Sequence, residues 1–127
     1  MASIKSFTEL IAWKEGHKLV LMIYEMTKRF PPEEKFGLTN QLRRAIISFT
    51  SNIAEGFSRN TSKEKVQFYY TALGSLTEVL NQIIASKDLG YLSNQDYILV
   101  ERQLIVSSKL INGLIKSAKL MGSHSKY

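Results

Sequence analysis

Cysteine is absent from the 127 residues, so there is no disulfide framework, thiolate zinc site, iron–sulfur cluster or cysteine nucleophile. Prolines number two, adjacent at Pro31 and Pro32, and glycines seven, too few for a collagen-like or low-complexity chain. The two histidines, His17 and His124, have no histidine or carboxylate three or four positions away, the spacing that helical metal sites use. Glu-x-x-His pairs are missing, which argues against a di-iron carboxylate bundle. Neither glycine-rich phosphate loop occurs, and none of the many serines lies in a nucleophile elbow. The expectation is therefore no catalytic residue, no metal, no cofactor and no enzymatic activity. Long apolar runs are lacking too. Leu19–Ile23 is the longest, against the roughly 20 residues a membrane span needs. Met1-Ala2-Ser3-Ile4-Lys5 has no signal-peptide core, so a cytoplasmic location is expected.

What the chain has in surplus is positive charge. Seventeen Lys and Arg against eleven Asp and Glu give a net charge of +6. Such a surplus favours an anionic partner, either nucleic acid or an acidic protein surface.

The rest of the pattern is helical. No linker, repeat or sustained two-residue alternation divides the chain, so one domain over residues 1–127 is expected, with helices at about 6–30, 36–58, 62–89 and 93–121. Ser6-Phe7-Thr8-Glu9 reads as a capping box opening the first helix, and Pro31-Pro32 stops it. In the second, Leu38, Leu42, Ala45, Phe49 and Ile53 form one stripe, while Gln41, Arg44, Ser48, Ser51, Asn52 and Glu55 form a polar face. The third carries a heptad-like seam of Val66, Tyr69, Leu73, Leu76, Leu80 and Ile83, and Gly90 suits a left-handed cap after it. The fourth shows Tyr97, Val100, Leu104, Ile111, Leu114, Ala118 and Met121, interrupted by Ser107, with Gly122 ending it and a frayed tail from Ser123. Matched lengths and short connections predict an all-α, antiparallel up-down-up-down four-helix bundle.

More apolar surface is present than one internal seam requires. Ile98, Leu99, Ile105, Val106, Leu110, Ile115 and Leu120 lie off the fourth helix's stripe, and Leu19–Ile23 covers the whole circumference of the first. Such excess marks either a broad core face or a self-association surface, and the expectation is a homo-oligomer.

Glu101 is the last acidic residue; Arg102, Lys109, Lys116, Lys119 and Lys126 follow it. Arg102, Lys109 and Lys116 are seven apart and return to nearly the same side of a helix, a stripe about 21 Å long. It either tracks a phosphate backbone or is a solvated face supported by the helix dipole. Arg43 and Arg44 form a second cluster, and Arg59, Lys63 and Lys65 a third at the turn into the third helix. Arginine suits bidentate phosphate contacts, although Arg44 could equally pair with Glu55. The candidate nucleic-acid-binding residues are thus Arg43, Arg44, Arg59, Lys63, Lys65, Arg102, Lys109, Lys116 and Lys119. Ser51, Asn52 and Glu55 make the best polar cluster, read as a hydrogen-bonded layer or helix end.

Phe36-Gly37-Leu38, Gln41-Leu42-Arg43-Arg44-Ala45 and Ser51-Asn52-Ile53-Ala54-Glu55-Gly56 together resemble the 23S ribosomal RNA intervening-sequence family of four-helix-bundle proteins. Trp13, Ile23-Tyr24, Phe30-Pro31, Gly74-Ser75-Leu76, Glu78 and Leu89-Gly90-Tyr91-Leu92 support it, over about Phe7 to Leu120. Thr50 stands where family members often have proline, which should restore a backbone hydrogen bond and straighten the helix. The resemblance implies a ribosomal-protein-like bundle that assembles into a pentameric ring. That ring is similar to the accessory protein of diversity-generating retroelements, a basic pentamer that binds nucleic acid and a reverse transcriptase. The resulting expectation is a non-enzymatic, RNA-binding homo-oligomer, with a scaffold docking an acidic partner protein as the alternative.

Overall fold

The structure, a computed structural model, describes residues 3–124, so the expectations for Lys126 and the last tail residues lie outside it. Four helices dominate: α1 (Ile11–Thr27), α2 (Leu38–Ser58), α3 (Ser62–Asp88) and α4 (Asn94–His124). Each packs on its neighbours in the cycle α1–α2–α3–α4–α1, with the most extensive contact between α2 and α3 and the least around α1. Short connections force consecutive helices antiparallel, which gives the up-down-up-down bundle.

The first helix departs from its expected span. Ser6 does form a capping box with Glu9, but the box opens a single 3₁₀ turn, Phe7–Glu9. Leu10 is extended (φ −69°, ψ 129°), buries its side chain, and α1 starts only at Ile11. This kink sets the Phe7 ring edge-on to Trp13, with centroids 5.4 Å apart. A capping box marks a helix start and carries no information about how far the helix runs. At its other end α1 stops at Thr27, three residues before the expected Phe30.

Connections are closed by side chains. Glu34, on the 3₁₀ turn Pro32–Glu34, accepts the Leu38 amide at 3.1 Å and thus caps α2, whose own N-cap is Gly37. Its other oxygen accepts from Tyr91 Oη at 2.9 Å, tying this turn to the α3–α4 connection. Thr61 accepts the Glu64 amide and caps α3. After α3, Gly90 takes φ +83°, the amide of Gly90 donates to Lys87 O and that of Tyr91 to Ser86 O. That is a Schellman closure, which a side chain at Gly90 would strain. Ser93 Oγ accepts the Asp96 amide at the start of α4.

α2 runs unbroken through Thr50; of its expected stripe Leu42, Ala45, Phe49 and Ile53 are buried and Leu38 packs partly buried at the core's edge. Two seams shift. In α3 the buried set is Tyr69, Ala72, Leu76, Val79, Ile83 and Ser86, so Leu80 is exposed and Val66 and Leu73 lie at the core's edge. Larger side chains drew the reading one position away from Ala72 and Val79. In α4 Ile115 is buried while Met121 is 55% exposed, and the helix continues past Gly122 to His124. Gly122 is there for room: a Cβ would meet Ser62 Oγ at 2.7 Å. Ser62 Oγ donates to Ala118 O, fixing the start of α3 against α4.

Candidate nucleic-acid interface

The nine candidate cations divide into two groups. Arg43 is committed internally. Its Nε donates to Thr27 Oγ1 at 2.9 Å, its Nη2 to Tyr24 O at 3.3 Å, and its guanidinium lies 4.6 Å from the Tyr24 ring centroid. Thr27 Oγ1 in turn donates to Ile23 O, so Arg43 closes the C-terminal end of α1, where a cation is favoured. Arg59 pairs with Glu55 at 3.1 Å and covers Phe68. Lys65 donates to the carbonyls of Gly56 (3.2 Å) and Phe57 (2.8 Å), capping α2 from α3. Desolvation there pushes the Lys65 ammonium below its ordinary range. Lys119 donates to Tyr70 Oη at 2.5 Å and lies 4.9 Å from its ring centroid. These four have partners within the protein, Lys119 while itself exposed.

Arg44, Lys63, Arg102, Lys109 and Lys116 are exposed, and among the described residues none enters an ion pair. Arg102, Lys109 and Lys116 run along the outer face of α4 as the seven-residue spacing predicts. That face is not purely polar. Ile98, Leu99, Ile105, Val106 and Leu120 are between 39% and 52% exposed on it. Ile105 lies toward α3, where it lines an apolar groove with Leu73 and Leu80; Leu99 lies toward α1, against Leu21 and Met22. The cationic line is therefore a ridge between two apolar flanks.

The polar cluster of α2 does not form as one unit. Asn52 Nδ2 donates to Ser48 O (2.8 Å) and Ser48 Oγ (3.2 Å). Ser48 Oγ also bonds Ser75 Oγ at 2.8 Å, linking α2 to α3. Ser51 is exposed, and Glu55 is exposed and pairs with Arg59, not with Arg44. Arg59 is one helical turn from Glu55, whereas Arg44 lies eleven residues, about 16 Å, back along α2.

Sequence reasoning missed what Arg44 does face. The Ser48–Ser75 bond sets the antiparallel register of α2 and α3, placing Arg44 level with Glu78 and Gln41 level with Gln82. These six residues line an open cleft of about 540 Å³, with the exposed Phe36 ring at its upper rim. Gln82 Oε1 is buried there without a hydrogen-bond donor. The signal was present in α3, where Ser75, Glu78 and Gln82 repeat at three and four, but the apolar seam beside it dominated the reading.

Elsewhere, His17 is exposed and stacks on Trp13 at 4.8 Å. Among the described residues no group of three His, Cys, Asp or Glu could hold a metal ion, and no helix is long and apolar enough to cross a membrane.

These features define an antiparallel four-helix bundle with a cationic ridge on α4 and a polar cleft between α2 and α3. Residues 8–113 match the 23S rRNA-intervening sequence protein family, and the chain belongs to it. It is similar to a crystal structure from Bacteroides thetaiotaomicron, a protein with unknown function from the S23 ribosomal protein family. The TM-score is 0.77 at 19% identity, over 84% of this chain and 96% of that one, a likeness of fold. No curated protein matches the sequence.

Proposed function

We propose that the protein is a non-enzymatic RNA-binding homo-oligomer, with the α4 ridge as its phosphate-binding surface. The observation that carries this is the line of Arg102, Lys109 and Lys116, exposed together and in no ion pair among the described residues. The ridge spans about 21 Å, so it meets several phosphates of one strand and neutralises them without reading sequence. Lys63 and Arg44 add cations on other faces.

Self-association uses the flanks. A ring needs two different patches on each subunit, and the α3–α4 and α1–α4 grooves supply them on either side of the ridge. A pentamer, as the family resemblance implies, brings +6 per chain to about +30 and concentrates the field along five ridges.

The test combines light scattering with binding of a structured 23S ribosomal RNA fragment across a salt series. A species of about five chains, binding RNA with a steep salt dependence, is the expected result. Replacing Arg102, Lys109 and Lys116 by glutamine should preserve the mass and flatten the salt slope by about three. Binding undiminished at half-molar salt, or a monomer, refutes the reading. The apolar residues interleaved with the ridge favour one second reading, a scaffold docking an acidic protein partner. RNA affinity that is weak at low salt and unaltered in the triple variant selects it.

A further inference from the structure

We infer that the cleft between α2 and α3 is a binding site for an unpaired guanine nucleotide of single-stranded RNA. The inference deepens the RNA-binding reading and rests on it, but uses residues separate from the α4 ridge.

The cleft is built in levels. At its base the Ser48–Ser75 hydrogen bond joins the helices and lines the floor with hydroxyls. One turn above it, Arg44 and Glu78 stand on opposite walls, both exposed and in no ion pair among the described residues. One turn higher are Gln41 and Gln82, the latter with its buried, donorless Oε1. At the rim the Phe36 ring is 86% exposed.

Each level constrains the ligand. An exposed guanidinium that enters no ion pair is available to an anion, and phosphate is the match for its fork. Glu78 on the facing wall repels a bare, multiply charged anion, so the ligand must also carry hydrogen-bond donors at a distance from its charge. A carboxylate takes two parallel N–H bonds, and among the four bases only guanine presents two adjacent donors, N1–H and N2–H₂, on one edge. The Phe36 ring supplies a face on which a base can stack. An amino-acid zwitterion would satisfy the two charges but is too small to reach from Arg44 to the rim. The cleft's 540 Å³ accommodates a nucleotide.

The experiment uses the full-length protein and two labelled five-nucleotide RNAs, UUGUU and UUAUU, followed by fluorescence anisotropy at low salt. UUGUU should bind roughly tenfold or more tightly than UUAUU. Glu78→Gln should bring the two to equal affinity, because it removes the paired acceptor that only guanine uses while relieving backbone repulsion for both RNAs alike. Phe36→Ala should weaken both about tenfold, because stacking is tolerant of base identity. The triple α4 variant should weaken both equally and leave their ratio unchanged. An unaltered affinity in that variant with the ratio intact sinks the ridge as RNA surface and leaves the cleft standing. Equal binding of the two RNAs by the wild type, a guanine preference that survives Glu78→Gln, or no binding of either RNA overturns the inference. Free GMP that displaces the label as well as unlabelled UUGUU does overturns RNA as the source of the guanine. Loss of oligomer mass in Glu78→Gln or Phe36→Ala makes the cleft a subunit contact and overturns it as well.

Discussion

Arg43 and Arg44 are neighbours in sequence and should behave as opposites when truncated. Arg43→Ala removes two hydrogen bonds donated to Thr27 Oγ1 and Tyr24 O, together with the guanidinium over the Tyr24 ring. The bond to Thr27 is part-buried and that to Tyr24 O exposed; such bonds contribute about 0.5–1.5 kcal/mol each, the exposed one at the low end, and an exposed cation–π contact about 0.5–1 kcal/mol. With partial compensation by water, the loss should be about 2 kcal/mol. Unfolding entropy near 2.1 cal/mol/K per residue gives about 0.27 kcal/mol/K for this chain, so Tm should fall by about 7 °C. Arg44 is exposed and enters no ion pair among the described residues, so Arg44→Ala should change stability by under about 0.5 kcal/mol. The assay is thermal unfolding followed by circular dichroism, at fixed protein concentration because association shifts Tm. Arg43→Met, which keeps the stem but not the fork, should recover part of the loss. A Tm within about 2 °C of wild type for Arg43→Ala, or an equal fall for Arg44→Ala, would refute the division of the cations into structural and available groups.

Three further expectations come from the packing. A methyl group at Gly16 would sit 2.6 Å from the Phe49 ring, so Gly16→Ala should destabilise by about 1–3 kcal/mol, read as a lower urea midpoint at unchanged m. Ser107 is fully buried and its Oγ has no hydrogen-bond partner, so Ser107→Ala should raise Tm, and a fall would show that the hydroxyl is satisfied in solution. The hydrogen bond from Tyr91 to the Glu34 carboxylate raises the Tyr91 phenol above its ordinary value near about 10. A raised folded pKa means stability fully present below the unfolded value and lost as pH rises through the folded one. Urea midpoints above about pH 10 should therefore fall less in Tyr91→Phe than in wild type, and parallel curves would count against the bond.

Periodicity made the bundle legible because four buried faces dominate four long helices. Its errors occurred where a side chain's size misled, as at Leu80 against Val79 in α3, or where a local signal carried no length information, as at Ser6. The cations were legible only as residue types. Arg43, Arg59, Lys65 and Lys119 are held by partners on other helices or across turns, and pairing across a bundle depends on a register that one sequence does not display. The same holds for the cleft: Arg44 and Glu78 line its opposite walls at one level because the Ser48–Ser75 contact aligns their helices.

The unequal sharing of contact among the helices has a kinetic consequence. α1 is the shortest, with 17 residues against 31 in α4, and packs least extensively on its neighbours. Its amides should open in sub-global fluctuations well below the free energy that protects α2 and α3, whose long shared seam makes them the last foldon to exchange. Deuterium should thus label α1 first under native conditions. The Glu15–Gln103 contact and the Arg43 bonds to Tyr24 and Thr27 act as latches at the two ends of that opening.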